Sequence, residues 1–192
     1  FDRDRDGFVM AEGAAALVLE RPDAAARRGA SPLGYVRGCG EAADTFHRTR
    51  SNPDGSAIVR AMADALADAG LPADAVDHVN AHGTGTPEND KMECLALQLL
   101  FGGRAARVPI TSNKSMIGHT LSAAGAIEAA VSLLTLRHGI IPPTINHHHP
   151  DPALALDVVA NVARPFAGRT VLSNSFGFGG QNVSLVLGLD PA

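Results

Sequence analysis

Three short segments of the sequence place reactive side chains among small residues, each directly after a predicted strand. They are residues 80–86 with His82, residues 112–119 with Lys114 and His119, and the glycine-rich residues 174–182. Glycine lets a backbone take positive φ angles or approach a ligand closely, and loops at the carboxyl ends of strands are where α/β sheets place their sites. A single histidine in a turn is as well explained by a structural hydrogen bond as by catalysis. Two histidines and a lysine in matching contexts favour a polar catalytic pocket.

The elements that must position these segments alternate between helix and strand patterns. Apolar residues recur at helical spacing from Ile58 to Ala69, and Thr86 followed by Pro87 is a typical helix start, with Met92, Leu95 and Leu99 along one face of that helix. The other predicted helices are residues 22–28 and 120–137, the latter ending at Gly139, and residues 114–119 are predicted to form a polar turn. The predicted strands are residues 14–20, 33–40, 75–81, 107–112, 158–163, 169–174 and 182–187, the last two forming a hairpin. This order predicts an α/β or mixed sheet, and we find no boundary that would divide residues 1–192 into domains.

Composition and charge exclude several classes of protein. The 192 residues carry a formal charge of −4, which argues against a nucleic-acid partner. The longest apolar stretch, residues 121–136, is too short to span a membrane. Two cysteines far apart in the chain do not form a disulfide framework and are typical of a reducing compartment, so we expect a cytoplasmic protein. The chain opens without Met at Phe1, and we expect it to be part of a longer polypeptide.

The three segments together resemble the β-ketoacyl synthases, the condensing enzymes of the thiolase superfamily. Their elongating branch carries His-Gly-Thr-x-Thr, Lys-x-x-x-Gly-His and Asn-x-Phe-Gly-Phe-Gly-Gly, and this sequence has all three in that order. The resemblance also covers residues 1–9, 44–47 and 142–146, and therefore runs nearly end to end. It implies a thiolase-like α/β fold, layered αβαβα in the full enzyme, of which this chain is mainly the C-terminal half.

The resemblance also implies an acyltransferase activity, 3-oxoacyl-[acyl-carrier-protein] synthase, in fatty-acid or related acyl-chain biosynthesis. In this reaction a cysteine takes an acyl group, malonyl loses CO₂, and the resulting carbanion attacks the acyl thioester. His82 and His119 would act as neutral hydrogen-bond donors to the malonyl thioester carbonyl, where negative charge grows. Lys114 would supply positive charge near His119 and bias its tautomer, with Glu128 as a supporting carboxylate.

The remaining implications concern substrates and partners. Thr84 and Thr86 would hydrogen-bond the pantetheine arm, and Phe176 and Phe178 would support the acyl pocket. The Phe178 N–H would join the oxyanion hole, and its ring would gate the pocket. The family takes acyl and malonyl thioesters from an acyl carrier protein, is normally a homodimer, and uses no metal or soluble cofactor because the phosphopantetheine arrives on the carrier protein.

The sequence departs from the family pattern at one point, the nucleophile. The family's cysteine lies upstream of the Asp-Arg-Asp-Gly-Phe segment in which this chain begins. Cys39 and Cys94 lack a nucleophile context, and we interpret both as buried structural thiols. We therefore expect the chain to be inactive alone.

Several alternatives compete with this interpretation. A thiolase is disfavoured because it needs a cysteine in the C-terminal region, and no cysteine follows Gly168. A type II polyketide ketosynthase stays open, and so does a non-catalytic subunit resembling a chain-length factor, although the retained histidines and lysine speak against the latter. Residues 147–149 could hold a metal, but we favour a solvated loop because no zinc-ligand spacing is present.

Overall fold

The computed structural model describes residues 1–190, which form a mixed α/β structure around one large sheet. The helices are α1 (Pro22–Arg27), α2 (Ser56–Asp68), α3 (Pro87–Phe101), α4 (Lys114–Ile117) and α5 (Ala124–His138). The strands are β1 (Tyr35–Ala43), β2 (His78–Asn80), β3 (Pro109–Thr111), β4 (Ile140–Ile141), β5 (Asp157–Val158), β6 (Arg164–Pro165), β7 (Thr170–Phe176) and β8 (Gln181–Gly188). The alternation predicted from the sequence is therefore confirmed, but of the predicted strand at residues 158–163 only Val158 lies in a strand, because β5 ends there.

The six-stranded sheet has the order β1-β8-β7-β2-β3-β5. Strands β1, β8 and β7 pair antiparallel, whereas β7, β2, β3 and β5 run parallel. The predicted C-terminal hairpin is the β7–β8 pair. Since β2, β3 and β7 are parallel neighbours, the segments that follow them emerge at the same edge, which brings the three motif segments together.

Helices cover both faces of this sheet. Helix α2 packs against β1 and β8 and joins α3 in the main core, where Ile58, Met62 and Leu97 are almost completely buried. Helix α5 packs against β7 and β8 through Ala129, Leu133 and Leu136. Across residues 1–190 no helix combines the length and the apolar character that crossing a bilayer requires.

The predicted strand at residues 14–20 is wrong. These residues have no regular structure, and Val18 and Leu19 are 88% and 73% exposed. A strand forms only where a neighbour offers backbone hydrogen bonds, and here the ladder stops after Ala11 N–H donates to the His119 carbonyl over 3.0 Å. Apolar composition alone predicted a strand whose partner the described residues do not supply.

Two other predictions about local structure need correction. The predicted turn at residues 114–119 contains the one-turn helix α4, which ends at Gly118 with φ of 74°. The next helix begins as a 3₁₀ turn, Leu121–Ala123, and becomes α-helical from Ala124, because Leu121 takes a positive φ of 52°. The predicted end at Gly139 is confirmed by its left-handed φ of 66°.

Candidate active site

A cavity of about 650 Å³ opens where the three motif segments meet. Its lining includes His82 and Thr84 after β2, His119 before α5, Phe176 at the end of β7, and Phe178 from the loop between β7 and β8. The predicted shared cavity of the two histidines is present. Their ring centroids lie 5.4 Å apart with an interplanar angle of 81°.

Aromatic rings flank the histidine pair. The His119 ring meets Phe8 edge-on at 5.1 Å, and the His82 ring lies 5.7 Å from Phe176. His82 is 6% exposed. The rings are therefore held in an apolar setting in which a charged imidazolium is costly.

Both histidines are neutral near pH 7. Burial, together with the Lys114 ammonium and then His119, holds the pKa of His82 well below its ordinary value. Burial and then Lys114 lower the pKa of His119 to about 4. The Leu121 N–H donates to His119 Nδ1 over 3.1 Å, so Nδ1 is the acceptor and the ring proton sits on Nε2. His119 thus has a free N–H donor.

Lys114 and Glu128 form a buried ion pair beneath the cavity, with side chains 4% and 2% exposed. Lys114 Nζ donates to Glu128 Oε1. Burial raises the pKa of Glu128 to about 7, and the ammonium opposes that rise. Asn80 Nδ2 donates to the Glu128 carbonyl over 3.1 Å and to Asn113 Oδ1 over 2.9 Å. The lysine therefore sits in a polar network that ties β2, α4 and α5 together.

Glu93 is a buried residue that the sequence reasoning missed. Its carboxylate accepts the His82 N–H over 3.0 Å, the Gly83 N–H over 2.8 Å and the Asn174 Nδ2–H over 3.1 Å. Burial raises the pKa of Glu93, and the three N–H donors oppose that rise because they stabilise the ionised carboxylate. Glu93 therefore fixes the backbone of the His82 turn to α3 and β7.

Ser112 holds the opposite side of the same turn. Its hydroxyl donates to the Gly83 carbonyl over 2.6 Å. Gly83 has φ of 41°, and a Cβ there would lie 2.5 Å from the Ser112 Cβ. Hydrogen bonds with Glu93 and Ser112 therefore fix both the N–H and the C=O of Gly83.

A signal for Glu93 exists in the helix pattern, but the predicted apolar face of α3 is only partly right. Of its three residues, Met92 is buried and Leu95 packs against the main core, whereas Leu99 is 57% exposed. The buried residues of α3 are Asp90, Met92, Glu93, Cys94, Ala96, Leu97 and Phe101. A glutamate within that set must be paired, and a correct choice of face would have identified it.

The predicted pantetheine ligands lie at the cavity with their hydroxyls paired. Thr84 Oγ1 and Thr86 Oγ1 are 2.9 Å apart, and Thr86 Oγ1 also caps α3 by accepting the Asn89 N–H over 3.2 Å. Phe178 is 73% exposed at the edge of the cavity. A ligand in the cavity can therefore contact Thr84, Thr86 and the Phe178 ring.

The two cysteines lie outside the cavity lining. Cys94 is buried on α3, and burial raises the pKa of its thiol to about 11. The prediction that Cys39 is buried is wrong, because its side of the edge strand β1 faces solvent. The pKa of the Cys39 thiol is also raised, first by its partial burial and second by the negative charge of Glu41. Neither thiol is activated as a nucleophile.

The histidine run at residues 147–149 divides into two environments. His147 is 8% exposed, against the expectation of a solvated loop, because its backbone N–H and C=O both bond the Asn161 side chain. His149 lies at the surface, where its Nδ1 is 2.7 Å from Asp4 Oδ2. Within the described chain, ligand atoms of Asp2, Asp4 and His149 approach within 4.8 Å of one another, but Asp2 already accepts three backbone N–H groups.

Comparisons with known proteins assign the fold and the family. Residues 33–148 match the family described as β-ketoacyl synthase, C-terminal domain. The structure superposes with a TM-score of 0.96 on a type II polyketide ketosynthase in complex with its acyl-carrier protein, 37% identical over 99% of this chain and 47% of that one. The fold is thus the thiolase-like α/β fold of ketosynthases.

The chain belongs to the β-ketoacyl synthase family. It is 45% identical over 97% of its length to 3-oxoacyl-[acyl-carrier-protein] synthase 2 of Coxiella burnetii. It is 48% identical, again over 97% of its length, to the tetracenomycin polyketide synthase ketoacyl synthase alpha subunit of Streptomyces glaucescens. The chain spans 45% and 44% of these relatives, less than half of each.

Proposed function

We propose that this chain supplies the malonyl side of the active site of an elongating β-ketoacyl-[acyl-carrier-protein] synthase. The observation that carries the proposal is the pair of neutral histidines facing one cavity, with an ion-paired lysine beneath them. Two neutral N–H donors suit an oxygen that becomes negative during the reaction. The relatives named synthase and ketoacyl synthase support the same reading.

The proposed reaction begins with loss of CO₂ from a malonyl thioester. The bond from the α-carbon to the carboxylate breaks, and its electron pair moves toward the thioester oxygen as an enolate. His82 and His119 donate hydrogen bonds to that oxygen, and the Nε2 proton of His119 is already in place. Donors of this kind are worth about 3 kcal/mol each in comparable enzymes.

Condensation then forms the new carbon–carbon bond. The enolate carbon attacks the carbonyl of an acyl thioester on a cysteine, and the carbon–sulfur bond breaks to release the thiolate. Neither Cys39 nor Cys94 lines the cavity, so we infer that this cysteine comes from outside the chain. The Phe178 N–H would donate to the acyl carbonyl, and the Phe178 ring would line the acyl pocket. Thr84 and Thr86 would hydrogen-bond the pantetheine arm.

The proposed partner is an acyl carrier protein, which delivers both thioesters on phosphopantetheine. The solved relative with a bound carrier protein supports this choice. No metal or soluble cofactor is required by the proposed steps. Homodimer formation, a cytoplasmic location and the inactivity of the isolated chain stay predictions.

A type II polyketide ketosynthase is the second candidate, favoured by the 48% identity to the tetracenomycin subunit. It would use the same residues and differ in product. The complete synthase can be supplied with acyl primer, malonyl-carrier protein, NADPH, a ketoreductase, a dehydratase and an enoyl reductase. Saturated acyl elongation in a fatty-acid system would support the first candidate, whereas unreduced poly-β-ketone chains would favour the second.

The proposal is tested by measuring ¹⁴CO₂ released from [3-¹⁴C]malonyl-carrier protein by the complete synthase. We expect wild-type protein to release it and His82→Ala to lose at least about a hundredfold in rate. Wild-type protein that releases none would overturn the proposal in favour of a non-catalytic subunit.

A further inference from the structure

The rim of the cavity carries two arginine side chains that no nearby carboxylate balances. Arg48 and Arg50 both line the cavity, and both are exposed. Among residues 1–190 neither lies within 4.0 Å of an acidic oxygen, whereas most other arginines do. Two unpaired guanidinium groups at the entrance of a cavity are a candidate anion subsite.

Two acidic residues, Asp44 and Glu88, share the lining with these arginines, and neither forms an ion pair with them. Asp44 is buried, and its two oxygens accept the Phe46 N–H over 2.9 Å and the Asn52 N–H over 2.7 Å. The Asp44 carboxylate is therefore hydrogen-bonded within its own loop. Glu88 is the other acidic residue of the lining and stands in the first turn of α3, where a helix N-terminus favours negative charge.

The loop that carries the arginines is fixed over the entrance. Asp44 N–H donates to the Gly180 carbonyl, and Gly179 N–H donates to the Arg48 carbonyl, each over 2.7 Å. A Cβ on Gly180 would lie 1.9 Å from the Asp44 carbonyl oxygen, so the two loops are in direct backbone contact. The arginines are thus presented on an anchored backbone next to the glycine-rich loop.

The chemistry of the cavity defines what this rim can bind. The histidine pair takes the thioester end of a ligand, and Thr84 and Thr86 line the same cavity. A ligand that extends from the histidine pair to the rim meets two guanidinium groups at its outer end. Guanidinium is planar and always charged, and its N–H groups match the geometry of phosphate oxygens.

We propose that Arg48 and Arg50 form an anion subsite for the phosphate at the outer end of a pantetheine arm. The inference rests on the proposed function, since it takes the thioester to lie at His82 and His119. The subsite contributes to binding and not to the chemical step, because the rim is separate from the reacting atoms.

The test compares two small substrates in the complete synthase, malonyl-phosphopantetheine and malonyl-pantetheine, which differ in the phosphate alone. For Arg48→Gln/Arg50→Gln we expect KM for decarboxylation of the phosphorylated substrate to rise about tenfold or more, with kcat within about twofold. The KM for malonyl-pantetheine should not change. The matched control is Arg60→Gln, an exposed arginine of α2 paired with Asp64 and outside the cavity lining, which should change neither constant.

Three outcomes would overturn the subsite. They are an unchanged KM for malonyl-phosphopantetheine, an equal rise for both substrates, and a rise seen only with intact malonyl-carrier protein, which would assign the arginines to carboxylates on the carrier surface. Failure of the proposed function is distinct, because wild-type protein would then decarboxylate neither substrate.

Discussion

Burial sets the charge of each group around the histidine pair. The charge of the Lys114 ammonium is neutralised by the Glu128 carboxylate. The same ammonium lowers the pKa of His82 and of His119 and so opposes their protonation. Burial and the ammonium act in the same direction on both rings. The site thus holds two neutral donors beside a fixed cation, the state that an enolate oxygen requires.

The first prediction concerns the protonation of His119. Its pKa of about 4 lies below the ordinary value of 6.5, so ¹³C-histidine NMR should show the ring neutral down to about pH 5. On lowering the pH from 6.5 to 4 the unfolded chain takes up this proton and the folded chain does not. The His119 contribution to the free energy of unfolding is therefore complete above pH 6.5 and is lost across that window.

The control for this titration is the denatured protein, in which His119 should titrate near 6.5. Lys114→Met should shift the folded pKa of His119 upward, because it removes one of the two causes of the depression. A His119 that titrates near 6.5 in the folded protein would contradict the neutral-donor assignment.

The second prediction concerns Glu93. In the wild type, the Glu93 carboxylate accepts three N–H hydrogen bonds. Glu93→Gln keeps the shape of the side chain but replaces one of its acceptor oxygens with an NH₂ group, which cannot accept them. We expect decarboxylation to fall at least about tenfold, because the His82 turn loses its anchor. The measurement is the rate of CO₂ release, with Glu88→Asp as the control for a change in a nearby α3 carboxylate that keeps its charge.

A stability measurement separates a local effect from unfolding. If Glu93→Gln lowers the rate in proportion to the folded fraction and no further, the carboxylate is a fold-stabilising group and the positioning argument is wrong. Circular dichroism at the assay temperature gives the folded fraction.

At the scale of elements, the sequence predicted the helices and the hairpin well because their signals are local. Helix α3 begins where Thr86 and Pro87 predict it, since the Thr86 hydroxyl caps the first turn. The predicted strand at residues 14–20 is wrong, and so is the placement of Leu99 on the buried face of α3, because both depend on what packs against these residues. Residue types and motif spacing identified His82, Lys114 and His119. Glu93 could have been found from the buried face of α3, whereas the contact of Ser112 with Gly83 is visible only in the structure.

Helix α2 approaches strand β1 so closely that the third prediction follows from backbone contact. A Cβ on Gly40 would lie 2.1 Å from the Ala61 carbonyl oxygen and 2.4 Å from the Ala65 nitrogen. Gly40→Ala should therefore lower the free energy of unfolding by about 1–3 kcal/mol or more, measured by urea denaturation. Gly103→Ala is the matched control, since nothing lies within 4 Å of a Cβ there, and it should be close to neutral.

An equal effect of the two substitutions would contradict this account of the α2–β1 contact. It would mean that the lost flexibility of glycine, and not the close approach of helix and strand, determines the stability of both variants.

At the scale of the whole molecule, the chain spans less than half of its curated relatives. Its cavity is lined by His82 and His119, by Thr84 and Thr86 and by a glycine-rich loop, among other residues, but both of its thiols lie outside that lining. In the proposed reaction, groups of this chain would act on the malonyl thioester, and the nucleophile that carries the acyl group would come from outside the described residues.

The most direct test of that division is His119→Ala in the complete synthase, with two steps measured separately. Acyl loading of the cysteine needs no donor to the malonyl carbonyl, so transfer of label from [¹⁴C]acyl-carrier protein to the enzyme should persist. Decarboxylation builds charge on that carbonyl oxygen, so CO₂ release should fall by about a hundredfold or more. Loss of acyl loading with decarboxylation near the wild-type rate would reverse the assigned roles and contradict the account.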